Sequence, residues 1–434
     1  MVDRREILKT AGTAATAGMV GLAGCLGTQD DDDDGGTDDT PDDGTDDTPD
    51  ETADNGAVTE PDEFAIRLGL AIPVTGTVGP VGIAMQDGIQ MAVNRFEAEY
   101  DNFEFDIVTE DTQYAPEEGL RAAQRLVEQD DADILIGPAN SASAQSAGEF
   151  AAENNIIQMN PAASANYLTD EDCRENHFRT ILNSDMEQIA TTRYALENFG
   201  PRMSMLMVDN TYGQAVRQAT IDIVEAEGGE VVDDLQVSPG TQDVTAQVET
   251  LRTTDADSIM VRVLGDASPA FHRQAHEVGL PDDYPMSTSV LLFEIRALGE
   301  FLEGYHAWSF FSWENADESE RVRQFNEDFS AVSEDHEFPW NHTAAGYWAA
   351  YLPAKAAAEQ GAMDFDSLVN GLEGIEHDDP VPIRLRECDH QAELEMQVVE
   401  LVPSDDYDFP IRQPVRTASR EDSLFPCEQY DCTL

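Results

Sequence analysis

The sequence predicts an α/β fold made of two doubly wound parallel-sheet lobes. Short β-rich apolar runs alternate with stretches of helical apolar spacing, Gly- and Pro-bearing loops separate them, and the alternation occurs twice. The chain has 434 residues, 41% of them hydrophobic, which is enough to bury a core in more than one domain. A formal net charge of -64 argues against nucleic acids and anionic membrane surfaces as partners.

The first series of elements begins at residue 64. We predict strands at 64–72, 104–109, 133–136 and 156–159, with helices at 83–96, 116–128 and 144–154 between them. The second series has helices at 186–199, 214–227, 244–253 and 267–278, and strands at 203–208, 231–237 and 258–263. Parallel strands joined by helices form open sheets whose ligands bind at the carboxyl ends of the strands, so we expect a crevice there.

Two serine-bearing loops follow neighbouring strands of the first lobe. Ser141 comes after the third predicted strand and Ser164 after the fourth, next to Ala163. Each serine can donate from its hydroxyl and its backbone N–H to an anion, and the Ala163 carbonyl can accept. A serine in either position is also a common helix N-cap, so the prediction of a binding site depends on the two loops lying together.

The sequence carries no recognisable catalytic, metal or nucleotide motif. The glycine-rich loop at 73–82 lacks both the G-x-G-x-x-G spacing and a P-loop lysine. No G-x-S-x-G or H-E-x-x-H stretch occurs, and His272 with His276 is far from any cysteine pair. We therefore expect a binding protein with no enzymatic activity, no cofactor and no metal. The aromatic residues from Trp308 to Trp313 either line the crevice or are buried in a strand that crosses between the lobes.

The N-terminus predicts export and membrane anchoring. Adjacent Arg4 and Arg5 precede a short run of apolar and small residues, as in a twin-arginine (Tat) signal, and the run ends in a lipobox-like sequence at Cys25. Residues 1–25 are thus expected to be the signal with its lipid-attachment cysteine. Residues 26–63 are rich in Asp, Thr, Gly and Pro and should form a disordered acidic tether.

Lys9 and Lys355 are the only lysines, whereas 88 residues are Asp or Glu. Strongly hydrated carboxylates keep a protein soluble in molar salt, where charges are screened, so this bias indicates a halophilic archaeon as the source. Export also permits disulfide bonds among the four cysteines after Cys25. Three pairings are open; we favour Cys427–Cys432 with Cys173–Cys388, although free thiols remain an alternative.

From Phe64 to about Val402 the chain resembles the branched-chain amino acid-binding proteins of ABC importers, which have the two-lobed, hinged "Venus-flytrap" type I periplasmic binding fold. The stretches that carry the resemblance include Val74-Thr75-Gly76, Ile136-Gly137-Pro138, Asn160 to Ser164, Phe178-Arg179-Thr180, Tyr212-Gly213 and Val278-Gly279-Leu280. On this basis we expect lobe 1 to contain residues 64–182 and about 312–378, lobe 2 to contain 183–311 and about 379–402, and 403–434 to be a C-terminal extension.

The resemblance implies that Ser141 and Ser164 hold the carboxylate of a ligand and that Tyr212 closes over it from the second lobe. It places Leu264 in the site with Asp266 close by, and Val81 where an aromatic residue often flanks the ligand side chain. The acidic residue that receives the ligand's ammonium group in the family falls near Ser289, which has no charge. Either Asp266 or Glu294 supplies that charge, or the ligand lacks an ammonium group.

The function that the resemblance implies is capture of an amino acid, or a related small carboxylate or amide, by lobe closure outside the cell, with delivery to an ABC permease. The anchored protein would then work on the extracellular face of the membrane. A ligand-sensing surface receptor that is not coupled to transport, or a binder of amides or aromatic acids, is the alternative.

Overall fold

In the computed structural model, residues 63–289, 291–334 and 336–434 are described. The expected Tat signal, Cys25 and nearly all of the acidic tether lie outside these residues, and their predictions stay untested. Among the described residues, no helix combines the length and the apolar character that crossing a membrane requires.

The first sheet has five parallel strands in the order β2-β1-β3-β4-β5. The strands are β1 (Phe64–Ile72), β2 (Phe103–Asp111), β3 (Ile134–Ile136), β4 (Ile157–Asn160) and β5 (His177–Arg179), joined by helices α1 (Gly79–Glu99), α2 (Pro116–Glu128) and α3 (Ser141–Glu153). Strands β1, β3 and β4 are mostly buried because helices cover both faces of the sheet. The predicted alternation of the first series is confirmed.

The second sheet is built first from a continuous series of elements. These are α4 (Ser184–Asn198), β6 (Arg202–Val208), α5 (Thr211–Ala226), β7 (Glu230–Val237), α6 (Thr245–Arg252), β8 (Ser258–Arg262), α7 (Ala267–Glu277), α8 (Leu280–Asp283), β9 (Met286–Thr288), α9 (Leu292–Leu298) and β10 (His306–Ser309). Strands β7, β6, β8, β9 and β10 are parallel neighbours in that order. The second predicted α/β series is therefore also confirmed.

The chain after β10 contributes elements to the parts of the protein built around both sheets. Its elements are α10 (Glu320–Val332), α11 (Asn341–Gln360), α12 (Phe365–Leu372), β11 (Glu376–His377), β12 (Ile383–Leu385), β13 (Ala392–Leu394), β14 (Met396–Val402), β15 (Ile411–Ala418) and α13 (Arg420–Ser423). Helix α11 lies along α1 so closely that a Cβ on Gly88 would come within 2.0 Å of the Thr343 carbonyl oxygen. This close approach packs α11 against α1, which belongs to the first sheet's layer of helices.

Two antiparallel strands complete the second sheet, which the sequence predicted as wholly parallel. β14 pairs with β10, and β15 pairs with β14 at the edge. β15 comes from the segment that we expected to be an extension after residue 402. Its backbone hydrogen bonds make that segment part of the sheet, because an edge strand accepts a partner from any part of the chain.

The predicted disulfide pairing is wrong. The bonds are Cys173–Cys432 and Cys388–Cys427. The prediction paired Cys427 with Cys432, but a short 3₁₀ helix (Cys427–Gln429) begins at Cys427, and the chain after it runs along the loop that precedes β5. There the Asp431 backbone N–H donates to Asp170, which brings Cys432 to Cys173.

Candidate functional site

A cavity lies where the carboxyl ends of the two sheets face each other, and its empty space, with the open solvent at its mouth included, is about 590 Å³. Loops after all five strands of the first sheet contribute to one wall. The other wall comes from α4, from the ends of β6, β8 and β9, and from β10. Six of the predicted site residues line this cavity, namely Val81, Ser141, Ser164, Tyr212, Leu264 and Ser289.

Ser141 is the first residue of α3, and its neighbour Asn140 caps that helix. The Asn140 side chain accepts from the backbone N–H of Ala142 at 3.0 Å and of Ser143 at 3.4 Å. The alternative of a capping role for Ser141 is therefore wrong, because Asn140 already satisfies those donors. Ser141 is 4% exposed and lies against the cavity at the positive end of the helix dipole.

Ser164 lies opposite the start of α4. Its carbonyl accepts from the backbone N–H of Ser184 at 2.8 Å and from the Ser184 hydroxyl at 2.9 Å. These bonds fix the loop after β4, in which Ser164 lines the cavity. Ala163 is not among the described residues that line it, and its carbonyl accepts from the Asn160 amide at 2.9 Å.

Tyr212 reaches the cavity from the start of α5. The next residue must be glycine, since a Cβ on Gly213 would lie 1.6 Å from the Val208 carbonyl oxygen. Helix α5 therefore begins directly on the end of β6 and directs Tyr212 into the cleft. The Tyr212 hydroxyl donates to Glu187 at 3.0 Å, and the Ser289 hydroxyl oxygen lies 3.5 Å from it.

Glu187 is the acidic residue of the cavity, and the sequence analysis missed it. It lies in the first turn of α4, is 1% exposed, and its Oε1 is 2.7 Å from Nε of the fully buried Arg262 at the end of β8. The Arg262 guanidinium also donates to the Thr191 hydroxyl at 2.8 Å. One acidic side chain in a helix start gives no sequence signal of this pairing, because Arg262 is distant in the chain.

Burial raises the pKa of Glu187 above its usual value, while the charge of Arg262 and the hydrogen bond from Tyr212 act in the opposite direction. Burial, together with the negative charge of Glu187, raises the pKa of Tyr212 well above its usual value. The Tyr212 hydroxyl thus stays protonated at neutral pH. The pair of Glu187 and Arg262 leaves this wall with a carboxylate oxygen near the cavity and no net charge.

Neither of the two acidic residues suggested by the sequence is among the described residues that line the cavity. Asp266 is exposed, and its carboxylate accepts from the Gln242 amide at 3.2 Å. Glu294 is buried, but it accepts from the backbone N–H of Leu291 at 2.9 Å at the start of α9. Its carboxylate therefore stabilises the N-terminus of α9.

Three further polar or aromatic residues line the cavity. Trp308 lies in it, as one of the two interpretations of that aromatic run expected. Phe310, Phe311 and Trp313 are buried but lie after β10 ends at Ser309, so they are not part of a strand. Tyr114 and His342, which the sequence analysis did not single out, also face the cavity. No cluster of three or more side chains suited to a metal ion occurs in the part of the chain that the structure describes.

A cleft between the carboxyl ends of two α/β sheets defines a two-lobed binding protein with the type I periplasmic binding fold. The family model described as "Periplasmic binding protein" matches residues 65–406, and this chain belongs to that family.

The chain is also similar to a named relative and to a solved structure. The chain is 27% identical over 217 residues to the Leu/Ile/Val-binding protein BraC3 of Rhizobium johnstonii, an alignment covering 49% of this chain and 58% of that protein. The chain thus spans little more than half the length of that relative. A periplasmic binding protein from Burkholderia mallei superposes with a TM-score of 0.77 at 22% identity, covering 86% of this chain and 99% of the other.

A solute-binding protein of an ABC transporter from Rhodopseudomonas palustris BisB5, in complex with 3,4-dihydroxybenzoic acid, superposes with a TM-score of 0.74 at 18% identity. That comparison covers 82% of this chain and 98% of the other. At this identity the likeness establishes a shared fold.

Proposed function

We propose that this protein captures a free α-amino acid outside the cell and delivers it to an ABC importer. The observation that carries the proposal is the pairing of two kinds of group across one cavity. Ser141 and Ser164 line the first wall, and the Glu187 carboxylate lines the second. An amino acid carries an anionic and a cationic group close together, and these two walls complement them.

The carboxylate binds at the first wall. Ser141 at the start of α3 offers its hydroxyl at the positive end of the helix dipole, and Ser164 offers a second hydroxyl. Hydrogen bonds to a charged group contribute about 1.5–3 kcal/mol each, so three or four of them support micromolar affinity after the costs of ordering.

The ammonium group binds at Glu187. Burying an ammonium group without a counter-charge costs several kcal/mol, so its partner must lie in the cavity wall. Glu187 meets that condition, while Asp266 and Glu294 do not line the cavity. The Glu187–Arg262 pair has no net charge, and a zwitterionic amino acid has none either, so the occupied cleft stays neutral.

Binding residues come from both sheets, so the ligand favours the closed arrangement of the two lobes. A ligand shifts such an equilibrium by the contacts that it makes only in the closed form. The closed form then docks on a permease, held near the membrane by the lipid on Cys25 after Tat export and by the acidic tether. Relatives named as Leu/Ile/Val-binding proteins support the substrate class.

A carboxylic acid without an ammonium group is the second candidate ligand. Glu187 is already compensated by Arg262, so the cleft does not require a cationic ligand. The aromatic side chains of Tyr212 and Trp308 in the lining suit an aromatic acid, the class present in the Rhodopseudomonas palustris structure.

Calorimetric titration of the protein in molar salt tests the proposal, with amino acids in parallel with the matching acids that lack the amino group. We expect amino acids to bind, Ser164→Ala to weaken them about tenfold or more, and Glu187→Gln to weaken them without affecting the acids. Asp266→Asn is the matched control and should leave binding unchanged. Equal affinity of wild type and Glu187→Gln for amino acids would remove Glu187 from the site, and binding of the acids alone would establish the second candidate.

A further inference from the structure

The cavity lining contains two polar groups that the proposed binding of carboxylate and ammonium does not use. Apart from the groups assigned above and Trp308, the described lining is aliphatic except for Tyr114 and His342. An aliphatic ligand side chain would need neither of them.

Tyr114 is held in the cavity by an unusual loop. It and the preceding Gln113 both have left-handed backbone conformations, with φ of 59° and 50°. The Asp111 carboxylate fastens this loop, since it accepts from the backbone N–H of Gln113 and of Val74, each at 3.0 Å, and thereby ties the loops after β2 and β1 together. Left-handed conformations at residues other than glycine persist where the surrounding structure imposes them, and they cluster at functional sites.

The Tyr114 hydroxyl is a neutral donor that no described side chain engages. Burial alone raises the pKa of Tyr114 to about 12, so the hydroxyl keeps its proton at neutral pH. A phenol in this state is free to bind a polar group of a ligand.

His342 is the second such group. It lies at the start of α11, is 8% exposed, and its Nδ1 atom has no hydrogen-bond partner among the described residues. Burial lowers the pKa of His342 to about 4, so the imidazole is neutral at pH 7 and can both donate and accept. Buried polar groups without partners are rare in native proteins and call for an explanation.

The strand order separates Tyr114 from the two serines. Ser141 and Ser164 follow β3 and β4, whereas Tyr114 follows β2, on the far side of β1. A ligand whose carboxylate binds the serines can therefore extend toward Tyr114 with another part of the molecule.

We propose, on the basis of the function proposed above, that Tyr114 and His342 select amino acids whose side chain ends in an uncharged hydrogen-bonding group, an amide or a hydroxyl. A site built to hydrogen-bond such a group rejects an analogue of the same shape that lacks it, because its own buried polar atoms then stay unpaired. This specificity differs from that of a site for branched aliphatic side chains.

Calorimetry with two pairs of ligands of matched shape tests this inference. The pairs are asparagine with leucine, and threonine with valine. We expect the polar member of at least one pair to bind about tenfold more tightly or better. Tyr114→Phe, which removes one oxygen atom, should abolish most of that preference by weakening the polar member, and it should bind the aliphatic member at least as tightly because no buried hydroxyl then stays unpaired. His342→Leu should reduce the same preference.

Tyr351→Phe is the matched control, since the Tyr351 hydroxyl lies 3.2 Å from a Glu99 oxygen and is not part of the described lining. It should bind all four ligands as the wild type does. Equal or tighter binding of leucine and valine by the wild type, or an unchanged preference in Tyr114→Phe, would overturn this inference and leave the proposed function standing. Absence of binding for all four amino acids would overturn both.

Discussion

The two walls of the cavity are built in different ways. The first wall takes its residues from loops that directly follow consecutive strands of one parallel sheet, within residues 64–182. The second wall depends on a buried ion pair between α4 and β8 and belongs to a sheet whose last two strands are antiparallel and distant in the chain. Local order in the chain determines the first wall, whereas long-range pairing determines the second.

The largest expected effect comes from breaking the ion pair of the second wall. Arg262→Met leaves Glu187 buried without its partner and should lower the free energy of unfolding by about 3–5 kcal/mol. Chemical denaturation in molar salt measures this change. The double variant Glu187→Leu with Arg262→Met removes both charges and should recover most of the stability. A single variant as stable as the wild type would mean that the pair does not hold this wall together.

Replacing the disulfide cysteines tests how the C-terminal segment connects the first sheet with the second. After β15 in the second sheet, the chain reaches the loop before β5 of the first, where Cys432 bonds Cys173 across a sequence separation of 259. The other bond, Cys388–Cys427, has a separation of only 39. Because a longer closed loop restricts the unfolded chain more, replacing Cys173 and Cys432 by serine should cost about 2–5 kcal/mol. The matched replacement of Cys388 and Cys427 should cost less. A larger cost for this second replacement would show that packing contacts of the C-terminal segment contribute more to stability than loop closure does.

A pH titration distinguishes the role of Glu294 from that of Glu187. Burial raises the pKa of Glu294 from 4.5 to about 7. The folded protein then binds this proton more tightly than the unfolded chain. Its stabilising contribution is therefore complete below pH 4.5 and is lost as the pH rises to about 7. The change is roughly 3 kcal/mol.

Glu294→Gln should remove this pH dependence, because the amide oxygen can still accept from the Leu291 backbone N–H. The measurement is the difference in unfolding free energy between wild type and variant across the range. If this difference in unfolding free energy does not change with pH, Glu294 keeps its ordinary pKa. Ligand affinity should stay the same in this variant, in contrast to Glu187→Gln, because Glu294 is not among the described residues that line the cavity.

Much of the first wall could be read from the sequence. The bounds predicted for β1 and α2 agree with the structure, and α1 and α3 begin only a few residues earlier than expected. Ser141 and Ser164 were chosen because both follow neighbouring strands, and both line the cavity. Ala163 was chosen for its position beside Ser164 and Asp266 by resemblance, and the described lining includes neither.

What the sequence by itself determined is therefore the order of helices and strands and the serines at the strand ends. Apolar periodicity and turn residues act over a few neighbouring positions, so each segment carries that information within itself. Only the tertiary structure decided the disulfide pairing, the place of β15 and the partnership of Glu187 with Arg262. These depend on which distant surfaces bury each other, and a buried charge or thiol finds its partner in space, independently of its position along the chain.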